Sequence, residues 1–281
     1  MVGDEIIFPL TASIEIYNCQ TGDKIRSQPL PGALTSDVRL DQRGLLLAGT
    51  ASLTGGRVSV IDPKRQFMIV RTETLVGSVL SAPTSFQGVI YAANDKGQVF
   101  AIGDQNRAVW GLDAGAFKTD RSVRADLVAD EFGLYAANAD GTLYVLDRNS
   151  GKIKWRYFAE HGLETAPFLT PEAVYQVVPK VGLVALDKTE GKLNRDPLWT
   201  AAGVTDVVAA DKKNVYVTID GNRLAALDRK TGQPVYDVTH AFTTFATNAT
   251  DGTIFAATQA GQVMSITTNR FGTSSGSVAA K

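Results

Sequence analysis

The chain contains 281 residues, of which 44% are hydrophobic and 20% charged, and its formal net charge at pH 7 is −1. It is therefore long enough to bury a substantial core, and it lacks the basic field that attracts a phosphate backbone, so we expect no nucleic acid partner. One cysteine excludes an internal disulfide, and two histidines leave too few ligands for a Cys/His metal site. No run approaches the roughly 18 consecutive apolar residues of a transmembrane segment.

A pattern of roughly 40 residues repeats along the chain. The segment Tyr91-Ala92-Ala93-Asn94 returns 44 residues later as Tyr135-Ala136-Ala137-Asn138. Each segment begins a pair of β-prone runs separated by an Asn/Asp/Gly turn, which is typical of a β-hairpin. Seven hairpins follow one another, and their first runs are anchored by Ile6, Leu46, Tyr91, Tyr135, Tyr175, Tyr216 and Phe255. The second runs are anchored 11 residues later in six copies and 15 in the other, at Tyr17, Ile61, Ile102, Leu146, Leu186, Leu227 and Ile266.

Two further runs accompany most hairpins. The third run follows a turn such as Asp147…Gly151, in which the carboxylate accepts backbone N–H groups and the glycine supplies a positive φ. The same turn is predicted at Asp187…Gly191, Asp228…Gly232 and Asn18…Gly22. The fourth run precedes the hairpin and consists of small residues, as in Ser81-Ala82-Pro83-Thr84.

Four short strands in each of seven repeats predict an all-β fold, a seven-bladed β-propeller of four-stranded antiparallel blades. We expect it to form a single domain over residues 1–281. The first blade is predicted to lack its inner strand, because too few residues precede Ile6 to form one. Two explanations stay open: the run Ser277-Val278-Ala279-Ala280 completes this blade, or the chain is a fragment of a longer protein.

The third run of the fourth repeat carries a family resemblance. The sequence Leu146-Asp147-Arg148-Asn149-Ser150-Gly151-Lys152-Ile153-Lys154-Trp155 resembles the repeat of the PQQ-like, or quinoprotein-like, β-propellers. In that family the tryptophan docks on the neighbouring blade, which implies this role for Trp110, Trp155, Trp199 and Tyr236. The WD40 repeat is less similar, since the chain contains no Trp-Asp or Gly-His dipeptide.

The resemblance implies two kinds of function. The family includes quinone-dependent dehydrogenases and non-catalytic scaffolds such as the BamB-like outer-membrane assembly lipoproteins. The dehydrogenases carry a vicinal cysteine pair and a calcium site beside the quinone. Since Cys19 is the only cysteine, we expect no PQQ and no other organic cofactor.

Polar residues recur where the small-residue runs begin. Asp37, Asp126, Asp206 and Asn248 occupy this position in four repeats. Their oxygen atoms are candidate ligands for a hard cation such as Ca²⁺ if they converge at the mouth of a central channel. The alternative interpretation is that Asp and Asn simply begin strands well and face a water-filled channel.

Other candidates lie in the connections from outer to inner strands, where propellers commonly bind partners. These connections hold both histidines, His161 and His240, and the densest basic stretch, formed by Lys118, Arg121 and Arg124. Either histidine could act as a general base, and the basic stretch could bind an anion or an acidic partner segment. The alternative is that all five side chains are solvated surface groups.

We therefore expect a non-catalytic scaffold that binds a protein or peptide partner. The expected location is the periplasm or cell envelope, and the expected form is a monomer or a domain of a larger protein. The rival hypothesis is an enzyme that binds a small ligand or metal at the channel mouth, such as a lyase, a lactonase or a quinoprotein-like enzyme.

Overall fold

In a computed structural model of the chain, the structure describes residues 4–103, 108–111, 117–189, 191–221, 223–238, 242–247 and 253–266. These residues form seven β-sheets and one short 3-10 helix, Pro63–Arg65. The all-β fold of a seven-bladed β-propeller is therefore confirmed. The chain divides into two compact units, the first made of Met1–Ala166 with Glu190–Arg195 and the second of Pro167–Thr189 with Asp196–Lys281. The prediction of one domain over residues 1–281 stays a prediction.

The first unit contains four sheets. The first sheet consists of β1 (Glu5–Pro9), β2 (Ser13–Asn18) and β3 (Lys24–Pro29). The second consists of β4 (Ala33–Leu34), β5 (Arg39–Leu40), β6 (Leu46–Ser52), β7 (Gly55–Asp62) and β8 (Met68–Leu75). The third consists of β9 (Thr84–Phe86), β10 (Val89–Ala93), β11 (Gln98–Ile102), β12 (Ala108–Trp110) and β13 (Phe117–Lys118). The fourth consists of β14 (Val128–Ala129), β15 (Leu134–Ala137), β16 (Thr142–Leu146) and β17 (Ile153–Phe158).

The second unit contains three sheets. The fifth sheet consists of β18 (Phe168–Leu169), β19 (Ala173–Val178), β20 (Gly182–Asp187) and β21 (Trp199–Ala201). The sixth consists of β22 (Val204–Ala210), β23 (Asn214–Ile219), β24 (Arg223–Asp228) and β25 (Pro234–Val238). The seventh consists of β26 (Phe242–Thr247), β27 (Ile254–Thr258) and β28 (Val263–Ile266).

Some of the described sheets have more than the predicted four strands and some have fewer. Three have four strands, two have five because an outer or inner strand is split, and the first and seventh have three within the described residues. In the first sheet, strand β1 contains Ile6, and the part of the chain that the structure describes has no strand paired on the other side of β1. Whether this sheet is completed by Ser277–Ala280 lies outside the described residues.

The strand register shows what the hairpin anchors have in common. Four anchor tyrosines are buried, and each lies opposite a small or β-branched residue: Tyr91 opposite Ala101, Tyr135 opposite Val145, Tyr175 opposite Ala185 and Tyr216 opposite Ala226. The predicted second-run anchors therefore pair one residue before the tyrosine, as Ile90 does with Ile102. Phe255 differs from the four tyrosines, because its side chain is 41% exposed.

The small-residue runs mostly precede the inner strands. Strand β14 begins at Val128, two residues after Asp126, and β5 begins at Arg39, two residues after Asp37. Among the candidates that the structure describes, only Asp206 lies inside its strand, β22. The reason is that the first strand pairs with the hairpin over only two or three residues in the third, fourth and fifth sheets. The residues before it extend beyond the ladder.

Consecutive sheets pack face to face within each unit, and aromatic residues dominate the contact. Between the third and fourth sheets, Tyr91 and Trp110 pack against Leu134 and Leu146. Tyr175 and Trp199 of the fifth sheet pack in the same way against the sixth, with their ring centroids 5.7 Å apart. Burying one such side chain is worth about 1.5–3 kcal/mol, so these contacts supply a large part of the adhesion between neighbouring sheets.

The predicted tryptophan docking is confirmed at two positions. The indole Nε1 of Trp110 donates to the carbonyl oxygen of Arg148 at 2.8 Å, and its ring covers Gly151. Trp199 donates to the carbonyl oxygen of Arg229 at 2.9 Å, and its ring covers Gly232. Each glycine has a positive φ, as the turn requires. Each of these two tryptophans thus packs against the Asp…Gly turn of the following sheet and donates a hydrogen bond to it.

The turn at Asp187…Gly191 is confirmed in its first half. Asp187 accepts hydrogen bonds from the N–H and the hydroxyl of Thr189. The φ of Gly191 depends on residue 190, which lies outside the described residues, so the positive φ at Gly191 stays a prediction. The chain takes 12 residues from Asp187 to Trp199, against eight from Asp147 to Trp155, so this connection is longer.

Gly151 and Gly22 form a matched pair for testing the docking contact. A Cβ at Gly151, where φ is +69°, would lie 2.8 Å from the Trp110 ring, whereas one at Gly22, where φ is +75°, meets nothing within 4 Å. We expect Gly22→Ala to lower the free energy of unfolding by about 1 kcal/mol through backbone strain alone. Gly151→Ala adds a steric clash and should cost about 1–3 kcal/mol more. Urea unfolding measures both, and equal losses would contradict the docking contact.

The Asp147 turn predicts a pH-dependent contribution to stability. Hydrogen bonds lower the pKa of Asp147, the largest effect coming from the Ser150 hydroxyl, while burial opposes them. Because the folded pKa lies below the unfolded value of about 3.9, this contribution is present above that value and is lost as the pH falls through the folded pKa. Ser150→Ala should therefore cost about 0.5–1 kcal/mol at pH 7 and less at pH 2.5. A cost in urea unfolding that does not change with pH would contradict the assignment.

Candidate interaction face

The connection from β13 to β14 carries the predicted basic stretch. Its first residue, Thr119, is buried and donates its N–H to the carbonyl oxygen of Gly97 at 2.9 Å. The Thr119 hydroxyl lies 2.7 Å from the carbonyl oxygen of Arg121, and the N–H of Val123 reaches the carbonyl oxygen of Asn94. We call residues 118–124 the basic loop. Its backbone is thus fixed against the β10–β11 turn at both ends.

A buried asparagine from the next sheet holds the middle of the basic loop. The Nδ2 of Asn138 donates to the Thr119 hydroxyl at 2.7 Å and to the carbonyl oxygen of Arg121 at 3.0 Å. Its Oδ1 accepts the N–H of Asp140 at 2.7 Å, so the same side chain also closes the β15–β16 turn. Asn138 has no solvent exposure, and these bonds satisfy a side chain that would be costly to bury unpaired.

The corresponding asparagine of the third sheet has the same role. Asn94 is buried, donates to the carbonyl oxygen of Val76 in the preceding connection, and accepts the N–H of Gln98 at 2.8 Å. The sequence interpretation missed both asparagines as positioning residues. The signal was present in the repeated segment Tyr-Ala-Ala-Asn, where an amide directly follows three residues that are all buried.

Glycine allows the close approach of turn and loop. A Cβ at Gly97 would lie 2.4 Å from the carbonyl oxygen of Arg121, and one at Gly141 would lie 2.5 Å from that of Ala159. Both glycines have a positive φ. Two successive connections are therefore seated on two successive turns by the same contact.

The charged side chains of the basic loop face solvent. Lys118, Arg121 and Arg124 are all exposed, and Arg124 makes only a 3.4 Å hydrogen bond to the Ser122 hydroxyl among its described contacts. Lys96, on the turn against which the loop is seated, is also exposed, as is Asp120 within the loop. A rigid backbone that presents several cations suits an acidic ligand, because little backbone entropy of the loop remains to be lost on binding.

The structure describes one of the two histidines that were predicted to lie in the interaction face. His161 is half-buried in the connection after β17, and its carbonyl oxygen lies 3.2 Å from the Cβ position of Gly141. It therefore belongs to the same row of turns and loops as the basic loop. His240 lies outside the described residues, so its predicted place in the interaction face stays a prediction.

Asp126 is engaged by the protein itself. Its Oδ2 accepts a hydrogen bond from the Arg39 guanidinium at 2.6 Å, and its Oδ1 accepts the N–H of Ala82 at 2.7 Å. The carboxylate thereby links β5 and the residues preceding β9 and β14. The sequence interpretation offered it as a cation ligand and did not foresee this connecting role.

The remaining cation candidates are exposed or lie outside the described residues. Asp37 is exposed between β4 and β5. Asp206 is exposed on β22, where neighbouring protein atoms partly desolvate its carboxyl and raise its pKa, and the N–H of Val207 opposes this. Asn248 lies outside the described residues. Across the part of the chain that the structure describes, no three His, Cys, Asp or Glu side chains are grouped to hold a metal ion. The calcium hypothesis stays a prediction.

Within the described ranges, no helix has the length and apolar character needed to cross a bilayer.

A family model and a sequence relative indicate the same family. A family model described as "Outer membrane protein assembly factor BamB" matches residues 11–235 and 101–270 of the chain. Over 132 residues the chain is 30% identical to the outer membrane protein assembly factor BamB of Alkalilimnicola ehrlichii. That alignment covers 46% of this chain and 29% of the relative, so it spans less than a third of the relative's length.

Solved structures share the fold at low sequence identity. The crystal structure of BamB from Moraxella catarrhalis matches with a TM-score of 0.64 and 16% identity, covering 94% of this chain and 87% of that one. The computationally designed Ika8 protein matches with a TM-score of 0.69 and 15% identity, covering 93% and 80%. A chain of the mitotic checkpoint complex matches with a TM-score of 0.68 and 15% identity, covering 93% and 83%. These likenesses show the fold alone.

Replacing Asn138 should loosen the basic loop. We expect Asn138→Ala to lower the free energy of unfolding by about 2 kcal/mol, because the Arg121 carbonyl and the Asp140 N–H each lose a hydrogen-bond partner. Amide exchange should also accelerate at Val123 and Ala139, whose N–H groups bond within this contact. The exposed Asn149 provides the control, and Asn149→Ala should change stability by less than about 0.5 kcal/mol. Unchanged exchange in Asn138→Ala would contradict the positioning role.

Proposed function

The chain belongs to the family of the outer membrane protein assembly factor BamB, and we propose on this premise that it is a non-catalytic scaffold for outer membrane protein assembly. The family match extends over most of the chain, and the relatives it resembles are named as assembly factors. A scaffold acts by binding proteins, so the proposal requires a surface that is rigid, exposed and chemically selective. The basic loop supports the proposal on each of these points.

The observation that carries the proposal is the way the basic loop is held. Asn138 and Gly97 fix its backbone from two neighbouring sheets, while Lys118, Arg121 and Arg124 stay exposed. Asn94 holds the preceding connection in the same way, so what distinguishes the basic loop is the set of exposed cations that its fixed backbone presents. Exposed cations on a fixed backbone favour an acidic segment of a partner protein, since they can form charge-assisted hydrogen bonds with carboxylates.

The partner is proposed to bind in an extended form across the row of turns and loops that ends near His161. Charge complementarity would steer the encounter and set the orientation more than it sets the affinity. The proposed location is the periplasmic side of the outer membrane, since the relatives act in outer membrane protein assembly by name. The absence of catalysis is proposed on the same basis.

Charge reversal of the basic loop should abolish partner binding. The test compares the wild-type chain with the triple variant Lys118→Glu, Arg121→Glu, Arg124→Glu, each immobilised and exposed to solubilised outer membrane extract. We expect the wild type to retain components of the outer membrane protein assembly machinery, identified by mass spectrometry. The triple variant should retain at least about tenfold less, because each reversed side chain replaces an attraction with a repulsion.

A matched variant controls for net charge. Lys152, Lys213 and Lys230 are exposed turn residues that do not belong to the basic loop, and their triple replacement by Glu changes the net charge by the same amount. This control should bind like the wild type. Wild-type binding should also weaken at 1 M salt, where the Debye length falls to about 3 Å. Equal retention by the two triple variants would overturn the assignment of the basic loop.

A further inference from the structure

A short segment of the β20–β21 connection is seated on a strand of another sheet. The carbonyl oxygen of Leu193 accepts the N–H of Arg156 at 2.7 Å, and the N–H of Arg195 donates to the carbonyl oxygen of Arg156 at 2.8 Å. Asn194 lies opposite Arg156 in parallel pairing. We call Leu193–Arg195 the strap. It adds one parallel rung to the outer edge of β17, the last strand of the fourth sheet.

Side chains reinforce the rung. The Oδ1 of Asn194 accepts a hydrogen bond from Arg156 Nε at 2.9 Å. The Arg195 guanidinium lies over the Trp155 ring, 5.2 Å from the centroid, which is a cation–π geometry. Strand β17 therefore contacts three groups of the strap, which are the backbone carbonyl of Leu193, the side-chain amide of Asn194 and the guanidinium of Arg195.

The strap covers the edge incompletely. Leu193 is 51% exposed, and its side chain lies largely in solvent. Phe158, two residues beyond Arg156 on the same strand and pointing to the same face, is 69% exposed. The edge thus continues past the residue that the strap pairs with, towards a large apolar side chain.

We propose that the outer edge of β17 around Arg156 is a strand-accepting site, and that the strap is its internal occupant, which an extended segment of a partner protein replaces. The partner segment would pair in parallel with β17, place an amide side chain opposite Arg156 and an arginine over Trp155, and extend to an apolar contact with Phe158. Strand addition to a sheet edge takes its affinity from main-chain hydrogen bonds and its specificity from such alternate side chains.

The strap is suited to exchange because it is a short segment at the rim of a sheet. Its backbone makes two hydrogen bonds to Arg156, and the side chain of Leu193 is 51% exposed. Short and partly exposed segments open locally more often than the whole protein unfolds. A longer partner strand would gain the Phe158 contact in addition to those that the strap makes. This site is separate from the basic loop and does not depend on it.

The test uses a fluorescent peptide with the sequence of residues 191–197 and variants of the full chain. Arg195→Pro removes the donor N–H of the strap, while Arg195→Lys keeps it and serves as the matched control. We expect the peptide to bind Arg195→Pro at least about tenfold more tightly than the wild type or Arg195→Lys. The amide of Arg156 should exchange faster in Arg195→Pro and become protected again when the peptide is added.

A covalent lock tests the exchange from the opposite side. Cysteines at Arg156→Cys and Asn194→Cys, in a Cys19→Ser background, face each other in the parallel pair. Oxidation should abolish peptide binding and reduction should restore it. Peptide binding that is equal in Arg195→Pro and Arg195→Lys, or that persists in the oxidised lock, would overturn the proposal. So would an Arg156 amide that exchanges in the wild type only by global unfolding. None of these results bears on capture by the basic loop, so the two proposals fail separately.

Discussion

The docking of an aromatic residue of one sheet against the turn of the next is the contact on which the architecture depends. Trp110 and Trp199 each donate to a turn carbonyl and lie flat on a glycine, and a buried tyrosine packs beside each of them. A four-stranded sheet with apolar faces cannot remain alone in water, so the contact that selects its neighbour also supplies its stability. Glycine is required at the turn because the indole ring occupies the space of a Cβ.

One buried side chain links the packing of the sheets to the surface that is proposed to bind partners. Asn138 closes its own β-turn with one side-chain oxygen and holds the neighbouring connection with its nitrogen. The rigidity of the basic loop is therefore a consequence of sheet packing, and a partner would meet a preformed surface. The strap on β17 is a different arrangement, since it is a short segment at the rim of a sheet with Leu193 half exposed. The fold thus presents a fixed surface and a second one that we propose to be exchangeable.

Much of the fold could be predicted from the sequence because the repeat depends on interactions between residues that are close in sequence. The tyrosine anchors, the Asp…Gly turns and the docking tryptophans each depend on residues within a few positions of one another, and the structure places Tyr91, Tyr135, Tyr175 and Tyr216 equivalently. The connection after Asp187 shows the limit of such local patterns, because its length in the sequence does not reveal that it pairs with β17.

The sequence by itself determined the class of fold, the number of sheets and the positions of the turns, because strand period, turn chemistry and repeat length are properties of neighbouring residues. Only the tertiary structure decided what the polar residues do. Asp126 is of a residue type that commonly binds cations. In the structure its oxygen atoms instead accept hydrogen bonds from the Arg39 guanidinium and the Ala82 N–H, which are distant in sequence. Asn138 positions the basic loop, and Arg156 binds the strap, through hydrogen bonds to segments 17 to 39 residues away. Such partners are set by packing between sheets, which no local pattern encodes.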